Sequence, residues 1–342
     1  MMFHRSRNNG RGSLSRFSGG GWLAEPTGRG SAHGKTCYPA PMSFDSLEHD
    51  RTKLEPGEVA RLSPLVRRVV APNPGPFTFT GTCSYIVGAG EVAIIDPGPD
   101  DEAHRAALLD AVKGERVTHI LVTHTHRDHS PGARALAQAT GAPVWGCAAH
   151  VAIEDHPSGR LDASHDTDYA PDVEMRDGDA LRAAGFTLTA VHTPGHASNH
   201  LCFALAEEAA LFSGDHVMAW STTIVAPPDG DMGAYMAALE RLAARPEETY
   251  YPGHGAPATS ARRYVRALAS HRRQRETAIL ARIRDGDADI ASIVARIYAG
   301  LDPRLQRAAS LSVLAHLQDM TARGLVTSSD GAATMDSRYG AG

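Results

Sequence analysis

One six-residue segment constrains this chain more than any other feature. Residues 124–129 read His-Thr-His-Arg-Asp-His and follow an apolar run at 119–122 that is typical of a buried strand. Alternation in an extended turn directs His124 and His126 to one point, while Asp128 and His129 diverge to a second point. Imidazole and carboxylate groups suit zinc, iron or manganese better than a cation that takes only oxygen ligands. The segment therefore predicts two adjacent metal ions at the end of a strand.

Three further candidate ligands stand at the ends of other predicted strands. Each is held in a turn that contains glycine, which fixes the direction of the side chain. The segments are Thr-Pro-Gly-His at 193–196, Ser-Gly-Asp at 213–215 and Tyr-Pro-Gly-His-Gly at 251–255. Their candidate ligands are His196, Asp215 and His254. A single histidine after a strand is a weak signal, but the seven residues in this order predict one composite site.

Together with Asp96 in Ile-Ile-Asp-Pro-Gly at 94–98, this pattern resembles the metallo-β-lactamase superfamily of metallohydrolases. The resemblance covers about residues 64–260 and implies an α/β fold, an αββα sandwich with a dinuclear site at one edge of the sheets. It implies that the first metal ion is bound by His124, His126 and His196, the second by Asp128, His129 and His254, and both by Asp215. Asp96 is then a structural residue near the ligand loops.

The resemblance also implies a reaction. Two divalent metal ions, expected to be Zn²⁺, share a bridging hydroxide that attacks a carbonyl or phosphorus centre. Asp128 is the expected catalytic side chain, since it can orient the water or accept its proton. Secreted zinc β-lactamases usually carry cysteine where Asp215 stands, so antibiotic hydrolysis is not the expected activity.

The flanking segments resemble more closely the lactamase-β-like protein 2 family, which has a C-terminal winged-helix domain. They are Asn-Pro-Gly-Pro at 73–76, His-Arg-Asp-His-Ser at 126–130, Phe-Ser-Gly-Asp at 212–215 and the pair Thr222-Thr223. This resemblance implies an endoribonuclease. Cys83-Ser84 departs from the Asn-Thr pair expected there, and the first 41 residues have no counterpart, but neither departure touches a ligand.

Apolar runs and turn residues divide the chain. Strands are predicted at 83–87, 92–95, 119–122, 144–145, 186–191, 201–205 and 210–212, and helices at 101–113, 131–139, 232–243, 260–284, 290–298 and 305–323. We therefore expect a disordered extension at 1–41, a metallo-β-lactamase-like catalytic domain at 42–260, a winged-helix-like domain at 261–330 and a tail at 331–342. The extension is Arg-rich and poor in acids, which leaves open a transit peptide or a true start at Met42.

The formal charge of −5 is unevenly distributed. Residues 42–260 carry 15 basic and 30 acidic side chains, whereas residues 1–41 carry six and one, and residues 261–330 carry twelve and seven. The acidic body argues against broad polyanion binding. The arginines of 262–275 are either a solvated helix face or a ridge that contacts phosphates.

Three functions remain open. The first is hydrolysis of phosphodiesters in single-stranded RNA, and the second is hydrolysis of small thioesters of the glyoxalase II or acyl-carrier thioesterase type. The third is DNA binding by the winged helix. Loops 147–182 and 217–233 are expected to shape the pocket. The candidate substrate contacts are His200, Thr222 and Thr223.

Other features indicate the compartment. The four cysteines are far apart and form no CxxC pair, and no apolar run reaches the length of a membrane helix or of a signal peptide. We expect a cytoplasmic protein without a membrane partner, and the sequence leaves its oligomeric state open. Five histidines have no recognisable partner and are expected at the surface: His104, His119, His150, His156 and His165.

Overall fold

Two β-sheets stack face to face in the computed structural model, which describes residues 50–151 and 165–342. The first sheet has seven strands in chain order: β1 (Ala60–Arg61), β2 (Val66–Val70), β3 (Cys83–Ala89), β4 (Glu91–Ile95), β5 (Arg116–Val122), β6 (Val144–Gly146) and β7 (Val173–Glu174). The second has six, in the order β13-β12-β11-β10-β9-β8. They are β8 (Ala180–Ala183), β9 (Phe186–His192), β10 (Leu201–Leu205), β11 (Ala210–Gly214), β12 (Thr249–Pro252) and β13 (Ala258–Thr259).

Apolar side chains of both sheets fill the space between them. Ile86 and Ile94 of the first sheet and Phe186, Phe203 and Phe212 of the second are buried in one core. The central strands β3, β4, β10 and β11 also bury their other face, because helices cover the outside of both sheets. This burial on two faces explains the near-continuous apolar runs in the sequence.

Four helices cover the outer faces of the sandwich. They are α1 (Glu102–Ala111), α2 (Gly132–Thr140), α3 (Met232–Ala243) and α4 (Ala261–Arg284). Leu108 and Leu136 pack from α1 and α2 into the core of the first sheet, and Leu239 and Leu268 pack from α3 and α4 beneath the second. The αββα sandwich expected from the sequence is confirmed.

The C-terminal part contains α4, α5 (Ile290–Ile297), α6 (Gln306–Ala322) and a two-stranded sheet of β14 (Val326–Ser328) and β15 (Tyr339–Ala341). These elements form the expected winged helix. The second wing strand lies within 331–342, so those residues belong to the folded unit and are not a tail. The first half of α4 packs on the sandwich and its second half on α5 and α6, so the chain has no packing break at residue 261.

Strand direction positions the ligand loops. β4 and β5 run parallel, as do β11 and β12, and β9 points the same way as β11 because each is antiparallel to β10. The carboxyl ends of these strands therefore meet at one edge of the sandwich.

Within the described residues no helix has the length and hydropathy needed to cross a bilayer. The predicted extension at 1–41 and His156 lie outside the described residues.

Candidate metal centre

The seven candidate ligands converge at the edge where the strands end. Four loops supply them: residues 124–129 follow β5, His196 follows β9, Asp215 follows β11 and His254 follows β12. Five of them are buried, His196 is partly buried with its side chain 8% exposed, and the Asp128 side chain is 25% exposed. The centre is therefore open to solvent on the side of Asp128.

Three imidazoles form the first cluster. His126 Nδ1 lies 3.0 Å from His124 Nε2 and 3.0 Å from His196 Nε2. His196 donates its Nδ1–H to the carbonyl of Ile224 at 2.6 Å, so its Nε2 carries a lone pair that faces the cluster. Tetrahedral bonds of about 2.0–2.1 Å to zinc place ligand atoms about 3.3 Å apart. The three nitrogens have nearly that spacing.

A second cluster lies beside the first. His254 Nε2 is 3.2 Å from Asp128 Oδ2, and His129 Nε2 is 3.5 Å from the same oxygen. Asp215 lies between the two clusters. Its Oδ1 is 3.4 Å from His254 Nε2 and 3.6 Å from His129 Nε2, while its Oδ2 is 3.5 Å from His196 Nε2. One carboxylate thus presents an oxygen to each cluster.

Asp96 determines the orientation of the ligand loop after β5. Its Oδ1 accepts the backbone N–H of Thr123 at 2.8 Å, and its Oδ2 accepts the Thr123 hydroxyl at 2.8 Å and His129 Nδ1–H at 3.0 Å. Thr123 Oγ1 also lies 2.9 Å from His124 Nδ1. Both rings therefore direct Nε2 at the metal centre. Asp96 adopts a left-handed backbone with φ 49°, a conformation that residues other than glycine seldom adopt and that is concentrated at functional sites.

Two glycines permit the close approach of the loops. A Cβ on Gly253 would lie 2.5 Å from Asp215 Oδ1 and 2.6 Å from His129 Cε1. Gly195 has φ 135°, and a Cβ there would lie 2.4 Å from Cα of Tyr235. Glycine is therefore required before His254 for steric reasons, and before His196 for both steric and conformational reasons.

Burial and local charge determine the protonation of the cluster. Burial and the neighbouring imidazoles hold the pKa values of His124 and His126 well below the ordinary range, so both rings are neutral. Burial alone would lower the pKa of His254, but Asp215 and Asp128 outweigh it and raise that pKa to about 9. Carboxylates outweigh burial at His129 in the same way, so its pKa is also raised. The carboxylates of Asp128 and Asp215 therefore favour positive charge at the second cluster.

The donor set fits two divalent cations. His129 Nε2 and Asp215 Oδ1 are buried and have no hydrogen-bond partner in the described structure, although an unpaired buried polar atom costs about 1–3 kcal/mol. Three groups of side chains bring one ligand atom each to within 4.8 Å of one another: His124-His126-His196, His124-His129-Asp215 and Asp128-His129-His254. Cations at these positions would satisfy the unpaired atoms and separate the clustered nitrogens.

Two of the expected substrate contacts lie behind the centre. His200 is fully buried; it accepts the Asp215 backbone N–H at 3.2 Å and lies 2.8 Å from Thr193 Oγ1. The buried hydroxyl of Thr223 donates to the carbonyl of Asp215 at 2.7 Å. Both therefore hold the Asp215 loop and do not face solvent. Thr222 is half-buried.

A pair of aromatic rings lies next to His254. The rings of Phe79 and Trp220 stack with centroids 4.8 Å apart, and a Cβ on Gly255 would lie 2.8 Å from Trp220. The neighbouring Gly81 carbonyl is 3.3 Å from His254 Nδ1. The half-buried aromatic pair thus forms an apolar wall beside the second cluster.

The surface position expected for His104 is wrong. His104 is 1% exposed, and its Nε2 lies 2.7 Å from Ser84 Oγ, which donates to the Asp96 carbonyl. Ser84 is one of the two residues that depart from the resembled family, so its hydroxyl has a local role behind Asp96. His150 and His165 are also largely covered, with side chains 10% and 12% exposed. No local pattern predicts these contacts, because each joins segments distant along the chain.

The arginines at the start of α4 are largely engaged within the protein. Arg262 pairs with Glu248, and Arg273 Nη2 lies 2.7 Å from Glu240 Oε1. Buried Arg272 donates to the Thr223 carbonyl and lies over the ring of Tyr235. Arg275 lies over the ring of Tyr298, 4.8 Å from its centroid.

Family profiles match two parts of the chain. Residues 77–254 match the metallo-beta-lactamase superfamily, and residues 290–334 match the beta-lactamase associated winged helix domain. Two solved structures share the fold. A metallo-beta-lactamase family protein from Thermus thermophilus is 25% identical, with a TM-score of 0.67 over 82% of this chain and 100% of that one. A beta-lactamase domain protein from Burkholderia ambifaria is 22% identical, with a TM-score of 0.71 over 87% of this chain and 98% of that one.

Curated relatives include two fungal proteins named atrochrysone carboxyl ACP thioesterase. One from Paecilomyces divaricatus is 33% identical over 73% of this chain and 75% of its own length. One from Claviceps purpurea is 33% identical over 65% of this chain and 66% of its own length, slightly less than two thirds.

Proposed function

Because this chain belongs to the metallo-β-lactamase superfamily, we propose that it is a dinuclear metal-dependent hydrolase of acyl thioesters. The observation that carries the reaction type is the convergence of seven buried or half-buried His and Asp side chains on one open edge. His124, His126 and His196 would hold one cation, Asp128, His129 and His254 the other, and Asp215 both. When bound, the cations supply Lewis-acid charge that lowers the pKa of water and stabilises a developing oxyanion.

The protein's own side chains prepare the site for attack on a carbonyl. Asp128 is the most exposed of the seven candidate ligands, so its carboxylate can accept a hydrogen bond from the attacking water and hold its proton. His200 and Thr223 fix the backbone of Asp215 from behind. The wall formed by Phe79 and Trp220 offers apolar surface to an acyl group.

Two observations favour a thioester over a phosphodiester. Two relatives, aligned over 66% and 75% of their own length, are named as thioesterases of acyl-carrier protein. Residues 42–260 carry twice as many acids as bases, and four of the six arginines at 262–275 contact other groups of the protein. RNA hydrolysis, the first expectation from the resemblance to the lactamase-β-like protein 2 family, would need phosphate contacts from these arginines, of which Arg262 and Arg273 are ion-paired and Arg272 is buried.

The test compares two substrate classes on the full chain loaded with Zn²⁺. Thiol release is measured with three substrates: an acyl thioester of N-acetylcysteamine, S-lactoylglutathione and an acylated acyl-carrier protein. Cleavage is measured with labelled single-stranded RNA. We expect thiol release by the wild type and by the control His119→Ala, which alters a half-buried histidine away from the site. His126→Ala and the isosteric Asp215→Asn should reduce the rate to background.

Two results would contradict this proposal. Cleavage of RNA with thioesters left intact would select the ribonuclease, and salt-dependent binding of duplex DNA without either activity would select the winged-helix DNA-binding protein. Thermal unfolding of each variant separates a lost ligand from a lost fold. Zinc as the cellular metal and the cytoplasm as the compartment stay predictions.

A further inference from the structure

Three polar side chains outside the seven ligands form another cluster. His150 follows β6, His165 precedes β7, and Asp229 lies in the loop between β11 and α3. One ring nitrogen of each histidine and one carboxylate oxygen lie within 4.8 Å of one another. From the sequence both histidines are expected to be isolated surface residues, because the three loops are far apart along the chain.

The spacing of these atoms suits a small cation. His165 Nε2 is 3.2 Å from Asp229 Oδ2, and His150 Nδ1 is 4.0 Å from Asp229 Oδ1. The two imidazole rings stack with centroids 3.6 Å apart and planes 3° from parallel, so one ring must rotate before both nitrogens direct their in-plane lone pairs at the same cation. Zinc with bonds of about 2.0–2.1 Å places its ligand atoms about 3.3 Å apart. The His165–Asp229 distance is already close to this value, and the His150–Asp229 distance requires a shift of about 0.7 Å.

Neighbouring groups fix the orientation of two of the ligands. His165 Nδ1 lies 2.8 Å from Thr125 Oγ1, which directs Nε2 at Asp229. The backbone N–H of Ser198 donates to Asp229 Oδ2 at 3.0 Å, and Asn199 Nδ2 donates to Thr125 Oγ1 at 3.0 Å. A histidine that ligates a metal ion has its other ring nitrogen held by such a partner.

His150 provides an independent observation. Its side chain is 90% buried, since 10% is exposed, and its Nδ1 is buried without a hydrogen-bond partner in the described structure. An unpaired buried ring nitrogen costs about 1–3 kcal/mol. The nitrogen lies 4.0 Å from Asp229 Oδ1, and a cation bound between the two atoms would satisfy it.

We propose that His150, His165 and Asp229 bind a third divalent cation of the zinc class. Two imidazoles and one carboxylate favour zinc or another borderline ion over magnesium or calcium, and three protein ligands leave a position open for water or substrate. The ring of His165 lies 4.7 Å from that of His126, so this site adjoins the dinuclear centre but uses none of its ligands. The site extends beyond the proposed thioester hydrolysis and does not depend on the substrate.

The test counts metal ions without using activity. The full chain, first stripped with a chelator, is dialysed to equilibrium against micromolar free Zn²⁺, and bound zinc is measured by mass spectrometry. We expect three equivalents for the wild type and for His119→Ala, and two for His150→Ala and Asp229→Asn. In a parallel titration with Co²⁺, one equivalent of the visible absorption should disappear in His150→Ala.

Each result has a definite meaning. The third site is overturned if the wild type binds two zinc equivalents, or if His150→Ala and Asp229→Asn both bind as many as the wild type. The wild-type measurement remains a valid test even if a variant does not fold. One equivalent that His150→Ala removes would keep the third site and reject the dinuclear centre of the proposed function. The two proposals therefore fail separately.

Discussion

Replacing Gly253 with alanine tests the geometry of the centre at one atom. The added Cβ would lie 2.5 Å from Asp215 Oδ1 and 2.6 Å from His129 Cε1, whereas ordinary contacts begin near 3.4 Å. One or both side chains must therefore move by about 0.9 Å. The backbone cannot retreat easily, because the Gly253 N–H donates to the Gly214 carbonyl at 2.8 Å and the Gly253 carbonyl accepts the Cys83 N–H at 2.7 Å.

The conformation of Gly253 isolates this steric effect. Its φ is outside the left-handed region, so alanine introduces no backbone strain. Overpacking of this kind costs about 1–3 kcal/mol of stability. A misplacement of about 1 Å at a catalytic group costs about 10²-fold in rate. We expect Gly253→Ala to fold, to bind one zinc equivalent fewer than the wild type, and to lose about 10²-fold in kcat/KM on thioesters.

Equilibrium dialysis against Zn²⁺, thiol release and urea unfolding measure the three effects. Gly340→Ala is the matched control, since its Cβ would meet only the Thr327 hydroxyl, at 3.0 Å, in the small wing sheet. The three atoms nearest to the added Cβ belong to Asp215, His129 and Gly214, so the cation held by His124, His126 and His196 should stay bound. Wild-type zinc content and wild-type kcat/KM in Gly253→Ala would refute the inferred packing of Asp215 and His129 around this glycine.

Three further substitutions test the groups behind the ligands. Asp96→Asn keeps the size of the side chain and tolerates the left-handed backbone, but it removes the charge that orients His129. The affinity for zinc, measured by chelator competition, should therefore fall about 10–100-fold. An unchanged affinity would contradict this role of Asp96. Burial lowers the pKa of His104 to about 4 in the folded protein. Because the unfolded chain binds this proton more tightly, the contribution of neutral His104 is complete above pH 6.5, and about 3 kcal/mol of stability is lost as the pH falls from 6.5 to 4. His104→Gln should remove this part of the pH dependence in urea unfolding, and identical pH profiles would exclude it. Arg272→Met removes the hydrogen bond to the Thr223 carbonyl and should lower the free energy of unfolding by about 1.5–3 kcal/mol, with kcat reduced more than KM is raised; an unaltered unfolding midpoint would show that the contact contributes nothing.

Much of the sandwich is predictable from local pattern. Strands buried on both faces read as apolar runs, and turn residues mark their ends, so all seven predicted strands and all six predicted helices are present. β2 is absent from that prediction because Arg67 and Arg68 interrupt its apolar pattern, although Arg68 is 8% exposed. β15 is absent from it because its three residues pair with a strand ten residues earlier, and no local pattern records that pairing.

The candidate ligands are identifiable from sequence because each stands directly after a strand in a turn of restricted shape. Their partners are not. The contacts of Asp96 with Thr123 and His129 link loops at the ends of β4 and β5, and those of His200 with Asp215 link β10 with β11. Such contacts depend on the register between strands, which a single apolar run does not specify.

The sequence by itself determined the chemistry available to this protein. It places imidazoles and carboxylates at strand ends within the acidic region 42–260, which is followed by helices. The tertiary structure decided how those groups are used. It directed the two oxygens of Asp215 at different clusters, engaged Arg262 and Arg273 in ion pairs, and brought Asp229 to His165. The physical reason is range. Residue type and strand position are local properties of the chain, whereas a binding site depends on distances of about 3 Å between segments that only the packed sheets bring together.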